Sequence, residues 1–322
     1  MRKIFLVLVF MCSCMIATGE EANLIKVGGA LEMRENNAGI AISTSAPGYT
    51  GTTEIAGLEL AEGDHHVSLS LKNMKVREII RILGRTAKFN VVACHSVTGN
   101  IEQVKMTDVE WPVALASLAD SMGYQTRLQD GIVFVGTPAD FEMLAAPESG
   151  GPDSEEKVSM DFKDAEISQV LKVIISKRRT GSMVIPVSVV GKCSISLRDV
   201  SEASAVKAVA RSNGLDCLFH GGVWFVAQPE VIRGLRQRDL DGAGINGFND
   251  SGKVTIDFRE TEIKQILKVL SHQSGQKFEA ADNVHGRITA RIIDQSYIKA
   301  ISYIAWCNGY QVSFTADGLQ IR

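Results

Sequence analysis

VTIDFRETEIKQILKVL, residues 254–270, decides the reading of this chain, because the same pattern has already occurred twice. Residues 158–174 read VSMDFKDAEISQVLKVI, and residues 67–83 read VSLSLKNMKVREIIRIL. Each begins with a short alternating stretch, passes a polar turn and continues with aliphatic residues on a helical spacing. These are Val76/Ile79/Ile80/Leu83, Ile167/Val170/Leu171/Ile174 and Ile263/Ile266/Leu267/Leu270. A period of two handing over to a period of 3.6 predicts a strand followed by an amphipathic helix. Its return at a constant offset marks an internal repeat.

The likeness continues past that helix. A second strand is predicted over 89–93, 183–187 and 278–280, then a glycine turn at Gly99, Gly191 and Gly286. A third strand alternates inward residues, most clearly Cys193/Ile195/Leu197 and Ile288/Ala290/Ile292. A second helix carries Leu115/Leu118/Ala119, Val206/Val209/Ala210 and Ile301/Ile304/Ala305. Gly123, Gly214 and Gly309 follow it where a left-handed residue ends a helix, each with an apolar residue next: Tyr124, Leu215, Tyr310. Each copy closes on a hairpin: YQTRLQDGIVFV, LDCLFHGGVWFV or YQVSFTADGLQI.

The fold class is therefore α+β, built from three tandem small β-α-β-β-α-β-β domains at 67–137, 158–228 and 254–322. The intervening 138–157, with prolines, Gly-Gly and an acidic run, reads as a solvated linker, and 229–253 as a glycine-rich one that begins with a helical turn. Residues 20–66 lack a clear period and are expected to be irregular, with room for a short hairpin. A copy of about 70 residues carries a core of marginal size. The three copies are nonetheless expected to fold independently.

Residues 1–19, MRKIFLVLVFMCSCMIATG, combine a basic start, an apolar run and small residues before Glu20, and read as a secretory signal. Lipid anchoring through Cys14 is disfavoured by Met11 and Cys12 ahead of it. Removing this leader takes away Arg2 and Lys3, so the formal charge of −3 becomes −5, which argues against a nucleic-acid partner. No other stretch reaches membrane-spanning length. The mature chain is read as periplasmic, keeping Cys94, Cys193, Cys217 and Cys307 in a compartment that permits bridges. Cys193 and Cys217 share a copy and are either two small core residues, the favoured reading, or a disulfide.

Candidate chemistry is sparse. Gly242, Gly244 and Gly247 match a dinucleotide-binding spacing but lack the strand before and the helix after that the motif needs. Residues 239–250 resemble a degenerate calcium loop with Ala243 at a ligand position. His65 and His66, adjacent on an extended segment, point to opposite faces and do not share an ion. Trp111, Trp224 and Trp306 fall on different elements and build no common aromatic platform. No catalytic residue, metal ligand or cofactor site is assigned, and the chain is read as no enzyme.

Two surfaces are candidates for protein contact. Basic residues recur on the first helices: Arg77, Arg81 and Arg85; Lys172, Lys177, Arg178 and Arg179; Lys264 and Lys268. They are either a solvated face complementing the helix dipole or a site for an acidic partner. The closing hairpins, around Val133, Val135, Val223 and Phe225, offer a β-rich rim with few charges, expected to be an open edge for strand pairing with a neighbouring copy or another protein.

The three strand-helix motifs, together with the endings SMGY, SNGL and CNGY, resemble the short N-terminal domain shared by secretins and TonB-dependent receptors. The turns Val190-Gly191 and His285-Gly286 match less fully. The resemblance implies two helices packed between a three-stranded and a two-stranded sheet, and protein contacts inside the cell envelope. It implies a scaffold or adaptor of a secretin-like secretion or pilus assembly, with a secretin or its own copies as partner. The signalling module of a TonB-type receptor system is an alternative, although neither a pore nor a barrel region is recognisable. From another class, an envelope glycan- or peptidoglycan-binding protein using clefts between copies is the runner-up.

Overall fold

The computed structural model describes residues 24–27, 31–36, 39–44, 66–145, 150–152, 156–240, 252–315 and 318–322. The signal sequence, Cys14, His65 and the 242–247 glycine pattern lie outside the described residues, as does most of the calcium-like loop. The molecule is α+β, with eight helices among the described residues.

Three strands, β1 (Leu24–Val27), β2 (Leu31–Asn36) and β3 (Gly39–Thr44), form an antiparallel sheet inside the segment expected to be irregular. The order strand, helix, strand, strand, helix, strand, strand then runs three times. The first pass is β4 (His66–Lys75), α1 (Val76–Thr86), β5 (Val91–Ala93), β6 (Asn100–Glu110), α2 (Trp111–Ser121), β7 (Gln125–Gln129) and β8 (Ile132–Gly136). After α3 (Pro138–Leu144) comes β9 (Lys157–Glu166), α4 (Ile167–Ser176), β10 (Ser182–Pro186), β11 (Lys192–Ser201), α5 (Glu202–Ser212), β12 (Asp216–His220) and β13 (Val223–Ala227). After α6 (Pro229–Arg236) comes β14 (Lys253–Glu262), α7 (Ile263–Ser274), β15 (Phe278–Ala280), β16 (Arg287–Ser296), α8 (Tyr297–Cys307), β17 (Val312–Thr315) and β18 (Gly318–Ile321).

Local chemistry sets the boundaries. Ser201 and Ser296 accept from the backbone N–H groups of Ser204 and Lys299 at 3.0 and 3.2 Å, starting α5 and α8. The glycines after the second helices all have positive φ, and Tyr124, Leu215 and Tyr310 donate back to Ala119, Ala210 and Ala305. That is the Schellman-type ending the sequence implied. Thr137 and Asp140 form a capping box on α3, which buries Phe141 and Leu144. The start of the first supposed linker is thus a packed helix, as is α6 in the second, where Ile232 and Leu235 are buried.

The sheets do not respect the boundaries between copies. β7-β8-β5 of the first copy continue into β11-β9 of the second as one five-stranded sheet, and β12-β13-β10 continue into β16-β14 of the third. β4-β6 stand as a pair at one end and β15-β18-β17 as a triplet at the other. The joints are antiparallel and share one register: Val92 faces Ile195 and Val91 faces Ser196, as Val184 faces Ala290 and Met183 faces Arg291.

Each middle sheet consequently has a helix pair on both faces. Val91, Val133 and Val135 pack into the first copy's core, whereas Val92, Ile132, Phe134, Phe141 and Leu144 pack with Leu171, Val206 and Val209 of the second. One joint further on, Val223, Phe225, Ile232 and Leu235 lie in the core of the third copy with Ile266, Ile301 and Tyr303. Full burial of each such side chain is worth roughly 1.5–3 kcal/mol. Shared cores of this kind contradict the expectation of independently folding copies.

Candidate functional site

The basic first-helix residues do not share one environment. Arg81 is only 9 % exposed. Its guanidinium donates to Glu78 Oε1 at 2.6 Å and, across the joint, to Asp161 Oδ1 on β9 at 2.6 Å. Arg85 lies 3.6 Å from the other oxygen of Asp161, and Lys163 reaches Glu78 at 3.2 Å. Hydrogen bonding from Arg81 holds the Glu78 carboxyl below the ordinary carboxylate range against the opposing effect of burial, and the same bond raises Arg81. Arg77 donates to the carbonyls of Cys94 at 2.8 Å and Lys192 at 3.2 Å, again spanning the two copies, and burial lowers its pKa.

The second joint repeats the device with less burial. Lys172 occupies the place of Arg81 in its helix, Asp257 the place of Asp161 in its strand, and their charged atoms are 2.6 Å apart. Lys177 and Arg179 are exposed, while Arg178 turns inward to the buried Glu202, which also accepts from Trp224 Nε1 at 2.8 Å. In the third copy Lys268 holds the equivalent place and is exposed, and Lys264 donates to the Asp282 carbonyl at 3.2 Å. The acidic partner of the first two basic helices is thus the next copy of this chain.

Val133, Val135, Val223 and Phe225 are fully buried. β8 is flanked by β7 and β5, and β13 by β12 and β10, so these residues occupy central strands rather than an open edge. Copies do pair by strands, through β5 and β10 instead.

The four described cysteines are buried free thiols. Cys193 and Cys217 lie on β11 and β12, in different sheets. Burial pushes Cys193 up to about 12 and raises Cys94 and Cys307 as well. Trp111 stacks on Phe89 with ring centroids 4.5 Å apart, a local packing contact. Among the described residues, no group of His, Cys, Asp and Glu could hold a metal ion, and no helix is long and apolar enough to cross a membrane.

A cleft of about 500 Å³ opens at the first joint, between the bend at Asn73–Lys75, the 97–100 turn and Lys163, Asp164 and Ser194 of the second copy. Arg77 lines it, with a buried Nε that has no hydrogen-bond partner. Sequence reasoning allowed for clefts and strand pairing between copies but named neither the residues that line this cleft nor the strands of the joint that creates it.

No protein-family model matches the chain. A segment is 28% identical over 72 residues to the type IV pilus biogenesis and competence protein PilQ of Neisseria meningitidis (serogroup A / serotype 4A), covering 21% of this chain and 10% of that protein. The protein of the same name from Neisseria gonorrhoeae is also 28% identical over 72 residues. The match thus spans about a tenth of the length of these curated relatives. Among solved structures, the N-terminal domain of the secretin XcpQ from Pseudomonas aeruginosa is 15% identical, with 76% of this chain and 98% of that one covered and a TM-score of 0.19. The Klebsiella pneumoniae type II secretion system outer membrane complex of PulD, PulS and the PulC HR domain is 14% identical, with 76% and 40% covered and a TM-score of 0.20.

Proposed function

We propose that this chain is a non-enzymatic periplasmic scaffold or adaptor associated with a secretin-like outer-membrane secretion or pilus assembly. The observation that carries the reading is the segment similar to PilQ, a protein of pilus biogenesis. The repeated strand-helix motif that resembles secretin N-terminal modules runs in the same direction. Interleaved copies support it further, since five-stranded sheets shared between neighbours make a stiff body suited to holding partners at fixed spacing. The test is affinity isolation of the mature chain from its own envelope, followed by mass spectrometry. Recovery of a secretin or pilus component supports the scaffold, and recovery of a TonB-type receptor would move the chain to signalling.

The cleft beside Arg77 favours a second reading, capture of an envelope glycan. Titration of the full chain with peptidoglycan fragments distinguishes it. A saturable rise in melting temperature that Arg77→Ala abolishes would displace the scaffold reading.

A further inference from the structure

We propose that the sheet β15-β18-β17 is a built-in stop, which prevents the third copy from forming the joint that the first two copies form. This inference does not depend on the scaffold reading.

Three features of the third copy depart from the other two at equivalent places. Along the second strand, Val92 and Val184 sit under the next copy's helices, and the residue in register with them is Glu279. Its side chain is 54% exposed and lies 3.1 Å from Lys277. Along the last strand, the buried Phe134 and Phe225 correspond to Gln320, which is half-buried. The outer face of the terminal sheet therefore carries a carboxylate and an amide where the middle sheets carry valine and phenylalanine. A face of this kind belongs in water, as on the terminal repeats of stacked proteins.

The edge itself is closed. In the first two copies the backbone of Val91 and Met183 pairs with Ser196 and Arg291 of the next copy. The equivalent residue is Phe278, and Ser271 on α7 takes both its groups: the hydroxyl accepts from the Phe278 N–H at 2.9 Å and donates to the Phe278 carbonyl at 3.3 Å. Gly84 and Ile175, at the same place in α1 and α4, have no hydroxyl. A short edge strand that carries a charge and a side-chain clasp is protected against pairing. The joints are heterologous, and an unprotected second strand at the end of the row would be open to any free strand edge it meets.

The experiment compares the full chain with a Ser271→Gly/Glu279→Val/Gln320→Phe variant, which carries the first copy's residues, by sedimentation velocity over a wide concentration range. Wild type should show no association through this face, and the variant should gain a concentration-dependent larger species. A variant no more associated than wild type would overturn the proposal. So would wild-type self-association that Ala280→Pro abolishes, because the edge would then be an acceptor. Should the triple variant not fold, Ser271→Ala tests the clasp alone: amide exchange at Phe278 should rise at least tenfold with neighbouring amides unchanged, and unaltered exchange would refute the closed edge.

Discussion

Arg81→Met asks whether the basic helix face is a solvated surface or a structural joint. Methionine keeps the apolar stem but removes a guanidinium that bonds Glu78 and Asp161, both at 2.6 Å. Glu78 is itself only 8 % exposed, so it loses its main partner inside the joint. Removing one member of a buried pair costs roughly 3–5 kcal/mol. Lys163 remains 3.2 Å from Glu78, and Asp161, about a third exposed, keeps Arg85 at 3.6 Å. The expected loss is therefore lower, ~2–3 kcal/mol near neutral pH, read as a shift in urea midpoint by far-ultraviolet circular dichroism. Lys172→Met breaks the equivalent pair, in which the side chains are 26% and 53% exposed, and should cost only ~0.2–1 kcal/mol. The pH dependence follows from Glu78, whose carboxyl is held below the ordinary carboxylate range in the folded chain by its hydrogen bond from Arg81. Its contribution is complete above the unfolded value and is lost as pH falls through the folded one. The gap between wild type and Arg81→Met should thus hold steady at neutral pH and narrow in acid. A cost no larger than that of Lys172→Met, or a gap that widens in acid, would refute the buried-joint reasoning.

Leu171→Asp places an unpaired charge in a core shared by two copies, so limited proteolysis should release the first and second copies together; selective loss of the second alone would restore independent folding. Phe134→Ala should cost ~3–5 kcal/mol although its strand belongs to the first copy, with amide protection falling in α5 of the second; loss confined to the first copy would contradict the shared sheet. Cys94, Cys193, Cys217 and Cys307 should resist iodoacetamide at mildly alkaline pH in the folded chain and react once it is unfolded, because burial disfavours each thiolate for which a shift is resolved. Rapid native alkylation of any of them, detected by mass spectrometry, would contradict that burial.

The helices were legible because each buries a single stripe: Ile79, Ile80 and Leu83 recur as Val170, Leu171 and Ile174 and again as Ile266, Leu267 and Leu270, all buried. The helix-ending glycines were legible because their left-handed backbone leaves few alternatives. Strand pairing between copies was an expectation of the sequence, but the strands that make it, β5 and β10, were not, although they left a trace. IVFVG, SMVIP and VWFVA are apolar runs without alternation, the mark of strands buried on both faces. Two of them, IVFVG and VWFVA, read as a charge-poor rim when a copy of about 70 residues is considered alone, because such a copy offers only one core. FEA and GLQI in the third copy do alternate, as one-sided burial requires. Arg81 and Asp161 stand 80 residues apart, and nothing in either helix or strand alone announces that they meet. The cleft beside Arg77 could not be read for the same reason, since its walls belong to two copies.

The shared register of the two joints has a consequence for the segments that connect the copies. Ile195 on Val92 and Ala290 on Val184 fix each copy on its predecessor by backbone pairing, so the connecting chain is not what sets their spacing. Insertions between α3 and β9 or between α6 and β14 should therefore leave the paired strands in the same register. Spacing along this chain is thus written in the rungs, Val92 on Ile195 and Val184 on Ala290, and a change of sequence between copies that spares those rungs spares the spacing.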